Sequence, residues 1–188
     1  MPIKEILAQQ SKWTWDIMLA SAQLGEMIRE DAITSVNLAT INELAKEQGV
    51  PISITSFQGA KLEMEFGADW MWSYGTSGYL VQAKRLDVVP HTGDLSYTIK
   101  IQQLDLLVDA SQTLSGQHGI DTKPAYVFYN SMMKDVNPLE WGCMFVNAMV
   151  LQNYLSQKIK PGQQTATLST TFLFEYAEPW YKMFGSFK

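Results

Sequence analysis

The segment from Leu62 to Leu86 limits the fold more than any other part of the chain. Two stretches rich in aromatic and apolar residues, Leu62–Tyr74 and Tyr79–Leu86, flank Gly75-Thr76-Ser77-Gly78. Apolar runs separated by a short Gly-containing turn read as a β-hairpin. Side chains alternate between the faces of a strand, so Gln82 and Lys84 share one face with Leu80, while Tyr79, Val81 and Ala83 take the other. On the first strand, Asp69 and Met71 share a face and Trp70 and Trp72 point away from it. Paired strands lie about 5 Å apart, so Asp69 can stand beside Gln82 and Lys84 in a suitable register.

The remaining elements fall around this hairpin. Ile3, Ile6, Leu7, Trp13, Ile17 and Leu24 recur at roughly helical spacing, which predicts a helix over residues 3–24, interrupted at Gly25. A second helix is expected from Glu26 to Lys46, ended by Gly49 and Pro51. Residues 51–57 are rich in β-branched side chains and read as a strand, and residues 87–96 as a loop. Tyr97–Ser111 is expected to be helical, followed by a polar loop. Ala125–Asn130 is almost wholly apolar and reads as a strand buried on both faces. Trp141–Lys158 reads as a helix, Thr165–Tyr176 as a strand, and Pro179 onward as an aromatic tail. The fold class this order implies is α/β: a mixed sheet flanked by helices, in one domain over residues 1–188.

Composition narrows the function classes. Cys143 is the one cysteine, which excludes an internal disulfide and a cysteine-rich zinc cluster and fits a reducing cytoplasm. It sits in the apolar run Trp-Gly-Cys-Met-Phe and is expected to be a buried thiol. The opening residues lack the continuous apolar core of a signal peptide, and no apolar run is long enough to span a membrane. There is no Gly-rich phosphate loop and no GxSxG elbow, so nucleotide hydrolases and serine hydrolases have no support. His91 and His118 lie in expected loops without metal-ligand spacing and read as surface residues. The net charge of −5 implies weak unaided affinity for DNA, since neutralising phosphates with Lys and Arg dominates that affinity.

The polar residues of the hairpin have the donor types a hard cation needs. Mg²⁺ takes oxygen ligands and keeps several waters. Asp69 offers a charged oxygen, Gln82 an amide oxygen, and Ala83 its backbone carbonyl. Lys84 suits the positioning of a metal-activated water or the stabilisation of charge on a phosphoryl group. A second carboxylate is available at Glu30, with Thr34 and Asn37 on the same helical face. Each residue also has a plainer reading: Asp69 as a turn acid, and Gln82 and Lys84 as a solvated strand face. Glu63 and Glu65 alternate with Leu62, Met64 and Phe66, which favours a solvated face, although Glu65 would share Asp69's side of a regular strand. Trp70 and Trp72 read as core more readily than as base-stacking residues. Arg85 is either a surface charge or a phosphate contact.

In this order, Glu30, Asp69 and Gln82-Ala83-Lys84 resemble the PD-(D/E)XK, or restriction-endonuclease-like, superfamily. The phrases EFGADWMW, VQAKRL and AYVFYN are similar to an uncharacterised bacterial branch of it. The resemblance covers a core of about residues 26–155, leaving a helical extension over 1–25 and a strand and tail over 156–188. It implies a restriction-endonuclease-like core and a Mg²⁺- or Mn²⁺-dependent nuclease acting on nucleic acid, DNA first. Glu30, Asp69 and Gln82 would be the metal ligands and Lys84 the catalytic cation. Gln103 matches a glutamine that many members place near the site. A self-association or partner protein would supply the basic surface, and a bacterial or phage defence role would follow. Two residues depart from the pattern: Gln82 stands where the triplet begins with Glu or Asp, and Ala68 where the motif has proline. The first departure lowers the expected metal affinity and supports an alternative, an inactive nuclease-fold module that binds without cutting.

Overall fold

The computed structural model describes residues 2–57, 61–88 and 93–185, except the side chain of His118; His91 lies outside the described residues. The chain begins with two helices, α1 (Ile3–Gln23) and α2 (Glu30–Glu47), then β1 (Ile52–Ser56) and a short helix α3 (Lys61–Phe66). The hairpin β2 (Trp70–Tyr74) and β3 (Ser77–Arg85) follows, then β4 (Asp87–Val88), β5 (Leu95–Lys100) and α4 (Ile101–Leu114). After a 3-10 turn at Gln117–Gly119 come β6 (Asp121–Tyr129), α5 (Pro138–Trp141), β7 (Cys143–Asn147) and α6 (Ala148–Ser156). The chain continues through β8 (Thr165–Ser169), α7 (Thr170–Tyr176), β9 (Glu178–Pro179) and a 3-10 turn at Trp180–Lys182.

The result is α/β, a mixed six-stranded sheet in the order β1-β2-β3-β6-β7-β9 with helices packed on it; a smaller sheet joins β4, β5 and β8. β3 pairs antiparallel with β2 and parallel with β6. Its residues Gly78–Ala83 are all buried, as befits a central strand covered on both faces. The anticipated strand at Ala125–Asn130 is the buried end of β6. The turn of the hairpin is tighter than Gly75–Gly78, because Tyr74 already pairs with Ser77, and Gly75 supplies the left-handed φ of 62°.

Several segments differ from their expected structure, among them the expected loop over residues 87–96, which holds β4 (Asp87–Val88) and the start of β5 at Leu95. Leu62–Phe66 belongs to helix α3, not to a strand: Leu62 and Met64 are exposed, and the run Lys-Leu-Glu-Met-Glu is made of strong helix formers. Tyr97–Lys100 is the end of strand β5, with Tyr97 and Ile99 buried and Thr98 and Lys100 exposed, so the helix begins only at Ile101. Within the expected helix at 141–158, Cys143–Asn147 pairs with β6 as β7, and the Asn147 side chain then caps α6 by accepting from Met149 N–H. Thr165–Tyr176 divides in the same way, into β8 and α7.

The aromatic tail is core. Trp180 is fully buried, packs at a tilt against Trp72 and donates from Nε1 to the Leu7 carbonyl at 2.7 Å. Trp70 and Trp72 are likewise buried, edge to face. Cys143 is a buried thiol, as anticipated, though on a strand. No helix among the described residues is long and apolar enough to cross a membrane.

Candidate functional site

Gly67 sets the position of Asp69. Helix α3 ends at Phe66, and Gly67 turns the chain with φ at 64° while lying against the Gln103 carbonyl of α4. A Cβ there would overlap that oxygen, so this close approach and this backbone conformation both require glycine. Asp69 then falls just before β2. Its N–H donates to Val81 O at 2.8 Å and its carbonyl accepts from Phe57 N–H at 2.7 Å, which fixes it between β3 and the end of β1.

Asp69 stands one residue before the paired stretch, which begins at Trp70 opposite Val81, and its side chain reaches Gln82. Its Oδ2 accepts from Gln82 Nε2 at 2.7 Å and from the Ala83 backbone N–H at 2.7 Å. Gln82 Nε2 donates a second bond to the Ala83 carbonyl at 3.0 Å. The amide nitrogen therefore lies between a carboxylate oxygen and a carbonyl oxygen. Gln82 Oε1 is buried and has no hydrogen-bond partner.

Glu30, the first residue of α2, joins this group to the end of β3. Its Oε1 accepts from Lys84 Nζ at 3.2 Å and its Oε2 from Arg85 N–H at 2.7 Å. Thr34 and Asn37 share its helical face but not its surroundings. Thr34 Oγ1 meets the Tyr129 hydroxyl at 3.0 Å, and Asn37 Nδ2 donates to Thr14 Oγ1 at 2.9 Å. The polar strip on α2 is thus mostly a set of internal bonds, and only its first residue reaches the site. Arg85 bends back over the strand end, donating to Ile28 O at 2.8 Å and pairing with Asp87.

Of these groups, Glu30, Asp69 and Arg85 border a cleft of about 960 Å³, lined also by Glu63 and Asp87, while Gln82, Ala83 and Lys84 stand behind its wall. Carboxylates outnumber cations on its walls. Burial is the main cause that lifts the Asp69 carboxyl to about 7; the Ala83 N–H and the Lys84 ammonium oppose it, while Glu30 and Glu63 add to it. A proton or a cation in this position relieves the same penalty.

Gln103 lies on α4, behind Gly67, partly buried and with its Oε1 unpartnered; it borders a second groove rather than this cleft. Glu65 is exposed on α3. With no strand there, the alternation that would carry it to Asp69's side does not exist. Tyr126, next to Gln82 on β6, was not visible as a site residue from the sequence. Its period-two position was legible, but its neighbour strand was not.

The donor set suits a hard divalent cation: one carboxylate, one amide that can present oxygen, and one backbone carbonyl. Among the described residues no three His, Cys, Asp or Glu side chains cluster as a metal site. Glu30 is the anticipated ligand whose oxygens are both already engaged. Residues 3–187 match the profile of a family of unknown function (DUF6615), and the chain belongs to that family. None of the curated proteins matches it.

Proposed function

We propose that this family member is a divalent-metal-dependent nuclease that hydrolyses phosphodiester bonds of nucleic acid, DNA in the first instance. One observation carries the reading. The Gln82 amide nitrogen sits 2.7 Å from Asp69 Oδ2 and 3.0 Å from the Ala83 carbonyl, so turning the amide over would bring three oxygens together for a cation placed among them. Bound there, Mg²⁺ or Mn²⁺ would lower the pKa of a water and offset charge on the phosphoryl group.

The chain's own residues do the rest. Asp69 is held by two N–H donors and is already aimed when the cleft fills. Lys84, with a side chain only 12% exposed, keeps its ammonium at the site through Glu30 and offers its remaining donors to an attacking water or a phosphoryl oxygen. Glu30 serves best as the anchor of that lysine, with its carboxylate also fixed by the Arg85 N–H. Arg85 places a guanidinium on the wall of the cleft, where a phosphate could exchange with Asp87.

The acid-rich cleft and the net charge of −5 accord with a basic surface supplied by a second copy or a partner protein. A cytoplasmic role in bacterial or phage defence accords with the sequence resemblance. The engaged Gln82 amide favours a second reading, a module that keeps the fold and binds without cutting. Incubation with plasmid and Mg²⁺ or Mn²⁺ separates the two. Metal-dependent cutting that is lost in both Asp69→Ala and Lys84→Ala supports the nuclease; intact DNA with every metal supports the binding module.

A further inference from the structure

Gln82 is 1% exposed, and while Nε2 makes two hydrogen bonds, Oε1 makes none. Its register partner on the adjacent parallel strand is Tyr126, also fully buried, whose hydroxyl has no partner either. Neighbours in this register leave the sheet on the same face, about 5 Å apart at the backbone. A buried acceptor without a donor and a buried hydroxyl without a partner therefore leave the sheet on one face, not hydrogen-bonded to each other, and each is costly alone.

The amide faces a particular difficulty if a cation enters. Asp69 Oδ2 and the Ala83 carbonyl are both acceptors, so in the cation-free protein the Gln82 nitrogen must point at them. To present oxygen to a cation, the amide must turn over about its soft terminal torsion. The atom on its far side then changes from an acceptor to a donor. A hydroxyl can serve both states, because it donates and accepts. Phe128, two residues further along the same face of β6, offers neither.

We propose that Tyr126 is a positioning residue for the Gln82 amide. Its hydroxyl, through one bridging water, supplies a donor to Oε1 when nitrogen faces Asp69 and an acceptor to Nε2 when oxygen faces a divalent cation. The inference rests on the reading of Asp69, Gln82 and the Ala83 carbonyl as a cation site. It makes Tyr126 part of the apparatus that tunes metal affinity, without contact with the metal.

The test is Tyr126→Phe, compared with wild type and Asp69→Asn by Mn²⁺ titration calorimetry, by metal-free melting, and by the NMR signals of the Gln82 side-chain amide. Loss of an oriented neighbour of a metal ligand weakens binding by about 10- to 100-fold. The expected result is that loss in Tyr126→Phe, with metal-free melting unchanged and the Gln82 amide signals shifted. Wild-type Mn²⁺ affinity in Tyr126→Phe with unshifted amide signals overturns the role of Tyr126 and leaves the cation site standing. Equal failure of wild type and Asp69→Asn to bind Mn²⁺ overturns the cation site and this inference together. Should Tyr126→Phe melt early, the shift of the Gln82 amide on adding diamagnetic Mg²⁺ to wild type decides: inversion moves both amide protons, and unmoved protons at saturating Mg²⁺ contradict it.

Discussion

Asp69→Asn should make the metal-free protein more stable above neutral pH. The Asp69 carboxyl is lifted by burial from 3.8 to about 7. For an acid raised in the folded state, the unfolded chain loses its proton first. The Asp69 contribution to stability is therefore greatest below about pH 4, falls as pH rises through the window from about 4 to 7, and levels off above it. At about 1.4 kcal/mol per pH unit, the ionised carboxylate lowers stability by up to about 4 kcal/mol at pH 8. Asparagine preserves the shape, and its oxygen can accept from the Ala83 N–H and Gln82 Nε2 as Oδ2 does. In a chain of 188 residues this gain would raise the melting temperature by roughly 10 °C at pH 8 and hardly at all at pH 4. The assay is urea unfolding followed by tryptophan fluorescence, in EDTA, at intervals from pH 4 to 8, for both proteins. A variant less stable than wild type at pH 8, or one with the same pH slope, would refute the argument from desolvation.

Other perturbations test neighbouring parts of the account. Gln82→Glu should tighten Mn²⁺ binding above neutral pH, because a carboxylate presents oxygen without turning over, and should lower metal-free stability by placing a like charge at Asp69; calorimetry and melting give the two readings. Lys84→Met leaves Glu30 Oε1 without its ammonium partner and should abolish any cleavage while costing about 1 kcal/mol or more in urea unfolding, since the pair is partly buried. Gly67→Ala meets both the left-handed φ and the Gln103 carbonyl, so it should destabilise by about 2 kcal/mol or more and displace Asp69; thermal melting reads the first effect and loss of metal binding the second. Cys143, whose thiol burial pushes well above its ordinary pKa, should resist a thiol reagent at pH 8 until denaturant is added.

The hairpin was legible because it combines two independent signals, period-two alternation and a Gly-containing turn. Together they place Asp69 beside Gln82, and the structure has them hydrogen-bonded. The misread segments share a physical cause. Strands β5, β7 and β8 pass directly into helices at Lys100–Ile101, Asn147–Ala148 and Ser169–Thr170, with no intervening loop residue and no Gly or Pro to mark the change. A continuous apolar run therefore hides the junction, and only the pairing with a distant strand reveals it. Glu65 was drawn toward the site by the same ambiguity, since Leu-Glu-Met-Glu-Phe alternates like a strand and folds as a helix. Tyr126 was hidden for the opposite reason: its own strand was evident, but its parallel pairing with β3 crosses more than forty residues of chain.

The central claim is that Asp69, the Gln82 amide and the Ala83 carbonyl converge on one divalent cation. A crystal structure of wild-type protein soaked in Mn²⁺ tests it most directly through anomalous scattering. The account predicts a single strong peak between Asp69 Oδ2 and the Ala83 carbonyl, with the Gln82 oxygen turned toward it. A peak elsewhere in the cleft, or none there at saturating Mn²⁺, would contradict it.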